Sequence, residues 1–258
     1  MAINRTIFKN GFKKGNIPEW TCPTCQKGIL KADKTDFVVK EGSASKSFHK
    51  EEDWDPAWIS GVFTGILHCD NPKCKEDVAI IGKMDVQDEP KYYNDYDYDV
   101  VEVEILMPEL FVPSLNIFQI HKAIPGDIIK QIKDGFYLYW ADSSACANKI
   151  RIVVELIMDY FKIKKTTVDR HGKRKGLALH SRIDTFKLKY PHEGDMLMAI
   201  KWIGNSGSHA SIPLTKDDTL DGFEILEHVV HKLYETETKR LRKLSKKINK
   251  RKGPMKKR

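Results

Sequence analysis

Four of the five cysteines stand in two short pairs, Cys22-Pro-Thr-Cys25 and Cys69-Asp-Asn-Pro-Lys-Cys74. A tight turn after the first cysteine of such a pair lets two thiolates face one ion, and two pairs complete a tetrahedral zinc site. Four protein ligands close that site, so the expected zinc is structural rather than catalytic. Residues 26–68 between the pairs exceed the roughly 15–20 residues usual in a zinc ribbon, which implies an insertion between the two knuckles. His49, in that insertion, and His68 are candidate substitute ligands. The competing reading is two pairs of reduced, partly buried thiols without metal. A redox role for the first pair lacks the strand that normally precedes such a motif. Cys146 stands alone and is expected in the core.

A second candidate is Ile200-Lys-Trp-Ile-Gly-Asn-Ser-Gly-Ser-His209. Histidine titrates near neutral pH and suits proton transfer, and Asn205 could orient it or a substrate. The plainer reading makes Gly204 the residue that ends a helix, with Asn205 holding the following turn and His209 buttressing the next segment. Trp202 is expected in the core.

The elements that must hold these residues differ between the two halves. Residues 18–84 contain short β-branched runs, Phe37-Val38-Val39 and Val78-Ala79-Ile80-Ile81, bounded by Gly, Asp and Lys, which read as strands. Residues 1–17 read as a loose basic arm. Asp85–Glu104 carries eight acids, four tyrosines and one lysine. Its first part reads as an acidic connector, and the alternation at Val101, Val103 and Ile105 suggests a strand at its end. Residues 85–107 are therefore taken as a connector. From about Pro125 the apolar period becomes helical. Ile128, Ile129, Ile132, Phe136 and Tyr139 define a first helix. Ile150, Val153, Val154, Ile157 and Phe161 define a second over about Ser143–Phe161. Lys164–Gly176 is a polar, basic loop. A third helix spans about Leu177–Tyr190 and a fourth Glu193–Ile203. A fifth, capped by Thr215 or Asp217, carries Phe223, Leu226, Val230 and Leu233.

The formal charge of +8 is not evenly spread. Lys239–Arg258 holds 12 Lys/Arg and no acid, so the remainder, with 36 acidic residues against 32 basic ones, is mildly acidic. The tail is a basic amphipathic stretch with Leu241, Leu244 and Ile248 at spacings of three and four. Lys239, Arg240, Arg242, Lys243, Lys246, Lys247, Lys250 and Arg251 are the candidate nucleic-acid contacts. A solvated charge run, or one that folds back on the acidic connector, is the alternative. No apolar run reaches the roughly 18 residues of a membrane helix. With no secretory signal in the first residues and cysteines suited to a reducing compartment, the expectation is a soluble, cytoplasmic protein without a membrane partner.

The helical half resembles the domain of unknown function 4145 (DUF4145) family over about residues 108–236. The resemblance rests on the stretches beginning at Ser144 (SACANKIRIVVELIMDYF), Leu177 (LALHSRIDTF), Ala199 (AIKWIGNSGSH) and Leu220 (LDGFEILEHVVHKLYE), in that order. A cysteine-knuckle region in front of such a domain fits the same pattern. The family is similar to the HEPN fold, a bundle of four or five helices. The resemblance implies a dimer, a place in bacterial anti-phage defence beside a restriction-type or other protein partner, and metal-independent RNA cleavage. The active HEPN box is an arginine, a polar residue, three more residues and a histidine. Carried over, Asn205 and His209 match, and Gly204 stands at the arginine. The chemistry needs a cation where charge builds on phosphate. Lys201, one turn before Asn205, and Arg151, which has Glu155 at i+4, are the candidate replacements. Otherwise Arg151–Glu155 is an ordinary helical ion pair.

The expected architecture is mainly α: a zinc-knuckle module with short strands, residues 18–84, then a HEPN-like helical domain, 108–238, and a basic tail, 239–258. Two functions follow. One is a nucleic-acid-associated defence protein that cleaves RNA through His209, Asn205, Arg151 or Lys201, and Glu155. The other is a non-catalytic adaptor that dimerises or docks on a defence partner.

Overall fold

The computed structural model describes residues 3–94, 97–209, 213–234 and 236–254. A short helix α1 (Thr6–Lys9) precedes the sheet strands β1 (Leu30–Lys31) and β2 (Phe37–Glu41). Helix α2 (Ser43–Phe48) leads to β3 (Ser60–Cys69), β4 (Asp77–Asn94) and β5 (Asp97–Val112). All pairings are antiparallel, in the order β1-β3-β4-β5, with β2 sharing the edge of β3 with β1. Six helices or hairpin strands of the second half follow: α3 (Gly126–Ala141), α4 (Ser143–Tyr160), the small hairpin β6 (Thr166–Val168) and β7 (Arg174–Gly176), α5 (Leu179–Lys187) and α6 (Pro191–His209). Helices α7 (Lys216–Tyr234) and α8 (Thr236–Arg251) complete the described chain. Among the described residues no helix is long and apolar enough to cross a membrane.

One face of the sheet is the floor of the core. Phe63, Leu67, Ile80, Met84, Leu106 and Phe111 are buried on it. Trp20 and Trp140 bridge sheet and bundle, with ring centroids 5.0 and 4.6 Å from Phe111. Helix α4 is the centre of the bundle, touching α3, α5, α6 and α7. Its expected stripe of Ile150, Val153, Val154 and Ile157 is fully buried. Phe223, Leu226, Val230 and Leu233 bury the matching stripe of α7.

The N-terminal residues are not a loose arm. Ile3, Phe8 and Phe12 are buried, and Phe8 lies against Tyr139 and Trp140. Arg5 grips Glu224 with two hydrogen bonds of 3.1 and 2.7 Å and also pairs with Asp221. The apolar residues of this basic stretch recur at spacings that let Phe8 face the bundle and Phe12 the sheet.

The acidic stretch is not a connector either. Among the described residues, 85–94 and 97–107 are the far part of a two-stranded hairpin, paired in register from Asp85↔Ile105 to Tyr92↔Tyr98. The expected strand at Val101–Ile105 is present, and Asp85–Glu89 is its partner. Similarly, Lys164–Gly176 contains the β6–β7 hairpin, whose turn is held by Asp169 accepting from the amides of His171 and Lys173.

Thr215 is the cap of α7. Its amide and hydroxyl donate to Asp218, at 2.7 and 2.6 Å, while its hydroxyl accepts from the Asp218 amide. Thr215→Ala removes this reciprocal pair and should cost about 1 kcal/mol of stability, measured by urea unfolding.

Glu224, Asp218 and Asp159 are among the carboxylates held below their usual range. At Glu224 the hydrogen bonds from Arg5 do so, and at Asp218 those from Thr215. At Asp159 burial pushes upward, but Lys165 and the buried Arg182 outweigh it. A depressed folded pKa gives stability that is complete above the unfolded value of roughly 4 and is lost as pH falls through the folded value. Urea midpoints should therefore hold steady from about pH 7 to 5 and drop below about pH 4. Arg5→Met should lessen that drop by removing the share of Glu224.

Candidate functional site

The two knuckles meet as the spacing predicts. Gln26, after Cys25, and Lys75, after Cys74, adopt positive φ values of 53° each and turn the chain back on itself. The Gln26 amide donates to the Cys22 carbonyl at 3.0 Å, and the Cys74 amide to the Asn71 carbonyl at 2.9 Å. The result places Cys22 Sγ 3.8 Å from Cys74 Sγ and Cys25 Sγ 3.7 Å from Cys69 Sγ. All four sulfurs lie within 4.8 Å of one another. A tetrahedron with metal–sulfur bonds of about 2.3 Å has edges of about 3.8 Å, so the donor set fits a metal ion. Cys25 accepts hydrogen bonds from the Gly28 amide at 3.3 Å and from Asn71 Nδ2 at 3.6 Å. The Gly28 bond is the main reason its thiol pKa falls to about 6, whereas burial pushes the other three thiols up.

Neither histidine belongs to this cluster. His68 points to the opposite face of β3 from Cys69 and bonds Asp77 at 2.7 Å. His49 bonds Glu41 at 2.8 Å and lies against Trp54. The insertion between the knuckles contains β1, β2, α2 and most of β3, which build the sheet rather than the ligand set. Cys146 is buried in the bundle and donates to the Gly135 carbonyl at 3.3 Å.

The second candidate site is the crease between α4 and α6. Helix α6 does not stop at Gly204; it continues to His209. Gly204 is buried, and a Cβ built on it would lie 2.5 Å from Arg151 Cβ and 3.1 Å from the Ala147 carbonyl oxygen. A Cβ on Gly207 would meet the Ser144 carbonyl oxygen at 2.7 Å. The two glycines, three residues apart, let α6 approach α4 closely. Both are packing residues inside a helix, which overturns the reading of Gly204 as a helix stop.

Arg151 occupies the place that a side chain at position 204 would take. Its Nη2 pairs with Glu155 at 3.1 Å, and its buried Nε has no hydrogen-bond partner among the described residues. Lys201 is only 9% exposed, and no carboxylate pairs with it among the described residues. Its Nζ sits 3.3 Å from the centroid of the Trp202 ring. Asn205 is half-buried and lies one turn after Lys201. Position 209 continues the row of Trp202 and Asn205 at helical spacing. The side chain of His209 lies outside the described residues.

Trp202 is not in the core. It is 53% exposed and edge-on to His180 of α5 at 5.9 Å. Its position relative to the buried Leu197 and Ile200 places it on the other side of the helix, a signal that the spacing itself contained.

The tail is helical as expected and ends before Gly253-Pro254. Lys243, Lys246, Lys247, Lys250 and Arg251 are exposed on α8, while the side chains of Lys239, Arg240 and Arg242 lie outside the described residues.

A four-cysteine β module carrying a long hairpin, joined to a helical bundle and a basic helix, is the class of protein that these features define. Residues 136–251, from within α3 to the end of α8, match the family model described as Domain of unknown function (DUF4145). Residues 10–111, the sheet module, match the model described as Domain of unknown function (DUF8608). No curated protein and no solved structure matches the chain.

Proposed function

We propose that this chain is a nucleic-acid-associated protein of bacterial defence type whose helical domain, HEPN-like in fold, cleaves RNA without a catalytic metal. The observation that carries the reading is the α4–α6 crease: Arg151 fills the space over Gly204, and Lys201, one turn earlier on α6, is buried with no carboxylate paired to it among the described residues. The cation missing from position 204 is thus supplied from the neighbouring helix. In this account His209 takes the proton of a ribose 2′-hydroxyl, whose oxygen attacks phosphorus. The bond from phosphorus to the 5′ oxygen breaks, that oxygen takes a proton from water, and the proton held by His209 returns to solvent. The products are a 2′,3′-cyclic phosphate and a 5′-hydroxyl. Arg151 and Lys201 stabilise the charge on the phosphoryl oxygens, Glu155 orients Arg151, and Asn205 orients substrate or the imidazole.

The exposed cations of α8 supply the electrostatic hold on the strand. The four-cysteine cluster carries structural zinc, which fixes the knuckles against Trp20 and the core and takes no part in the reaction. A non-catalytic adaptor is the second reading. It is favoured by the projecting hairpin, whose exposed Tyr92 and Tyr98 are suited to a protein partner.

Binding is tested by fluorescence anisotropy with a labelled single-stranded RNA. Affinity should fall steeply with salt, and Lys243→Glu with Lys247→Glu and Lys250→Glu should weaken it at least about tenfold at about 100 mM salt. Salt-independent affinity, or unchanged affinity in this variant, would remove α8 from the account.

A further inference from the structure

We propose that α8 of one copy packs on the uncovered inner face of the β4–β5 hairpin of a second copy, so that two chains exchange helix and hairpin reciprocally. The inner face of the sheet does not end where the core ends. Met84 and Leu106, directly paired, are its last buried residues. The next pairs outward on that face are Val86 with Glu104, Asp88 with Glu102, Pro90 with Val100, and Tyr92 with Tyr98. Val100, Tyr92 and Tyr98 are more than half exposed, so apolar side chains continue along this face past the buried body.

That face is also electrostatically incomplete. Asp88 and Glu102 stand directly opposite one another, an arrangement that destabilises an isolated strand pair. Glu104 is paired with Lys14 at 3.1 Å, but neither Asp88 nor Glu102 has an ion-pair partner among the described residues. The face therefore fits a cationic element with an apolar stripe. Helix α8 has this composition. Leu241 and Ile248 are exposed, Leu244 lies between them, and Lys243, Lys246, Lys247, Lys250 and Arg251 flank the stripe. Sixteen helical residues span about 24 Å, which matches the roughly 25–30 Å of hairpin beyond Met84. Among the described residues of one chain, α8 has no substantial contact with β4 or β5. A second copy supplies both elements at once, and a two-fold axis makes the exchange closed.

The test is the mass in solution of nuclease-treated full-length protein by light scattering, at about 50 mM and about 500 mM salt, where screening differs strongly. The hairpin variant carries Asp88→Lys and Glu102→Lys. The tail variant carries Lys243→Glu, Lys247→Glu and Lys250→Glu. All these side chains are exposed, and circular dichroism checks the fold. The expected result is a low-salt dimer for the parent, monomers for each variant alone, and a dimer again when the two variants are mixed. A monomeric parent at low salt overturns the proposal, and so does a variant that remains dimeric by itself. Failure of the mixture to reassociate also overturns it. None of these readouts involves RNA cleavage, so the outcome is independent of the catalytic reading.

Discussion

Gly204→Arg, which would place an arginine where the proposed HEPN-like reading expects one, is expected to destabilise the protein by about 3 kcal/mol or more and to give no gain in RNA cleavage. The clash begins at the first carbon. A Cβ at 204 would be 2.5 Å from Arg151 Cβ and 3.1 Å from the Ala147 carbonyl, and these atoms belong to the start of a side chain and to backbone. Neither can swing aside. Relief requires α6 to move off α4, and Gly207, three residues on and tight against Ser144, holds it there. The exchange Arg151→Gly with Gly204→Arg moves the guanidinium from one helix to the other. It should recover much of the loss, less the roughly 1 kcal/mol cost of glycine inside a helix. Urea unfolding of the two single variants and the exchange measures that coupling. Additive losses would mean that positions 151 and 204 do not share one space.

Cys22→Ser should have the second large effect, lowering Tm by about 10 °C or more and reducing bound zinc from one per chain to well below one. The reason lies in the packing around the ligand. Cys22 is fully buried beside Trp20, whose indole bonds the Ile7 carbonyl at 2.8 Å and whose ring meets Phe12, Phe111 and Trp140. Loosening the knuckle therefore loosens the junction of N-terminal residues, sheet and bundle together. A chelator strong enough to remove zinc should reproduce the effect in the parent and add little in the variant. Parent protein with negligible zinc by elemental analysis, and an unchanged Tm in Cys22→Ser, would contradict the zinc assignment.

The cysteine cluster was legible because its chemistry is local: two short knuckles carry most of their geometry in their own turns. The bundle was legible because Ile150, Val153, Val154 and Ile157 can share a buried face only in a helix. Gly204 was misread for a physical reason. A glycine that ends a helix and one that admits a neighbouring helix look alike until the partner is known, and here the partner is Arg151, some fifty residues earlier. The hairpin was half legible. Val101, Val103 and Ile105 alternate plainly, but Pro90, Lys91 and the tyrosines of the opposite strand show no such alternation. Both faces of that region stand outside the core, so burial imposes no pattern on it. Phe8 and Phe12 could have been read as anchors, since two phenylalanines in a short basic stretch are rarely left in water.

Cleavage of a defined single-stranded RNA by purified parent and His209→Ala, in EDTA with the fold followed by circular dichroism, tests the central claim most directly. Cleavage to 2′,3′-cyclic phosphate ends by the parent, with a loss of at least about a hundredfold in the variant at unchanged fold, is the predicted result. Equal cleavage by both proteins, or no cleavage by a parent that binds the RNA, would contradict it and leave the chain as a binding protein.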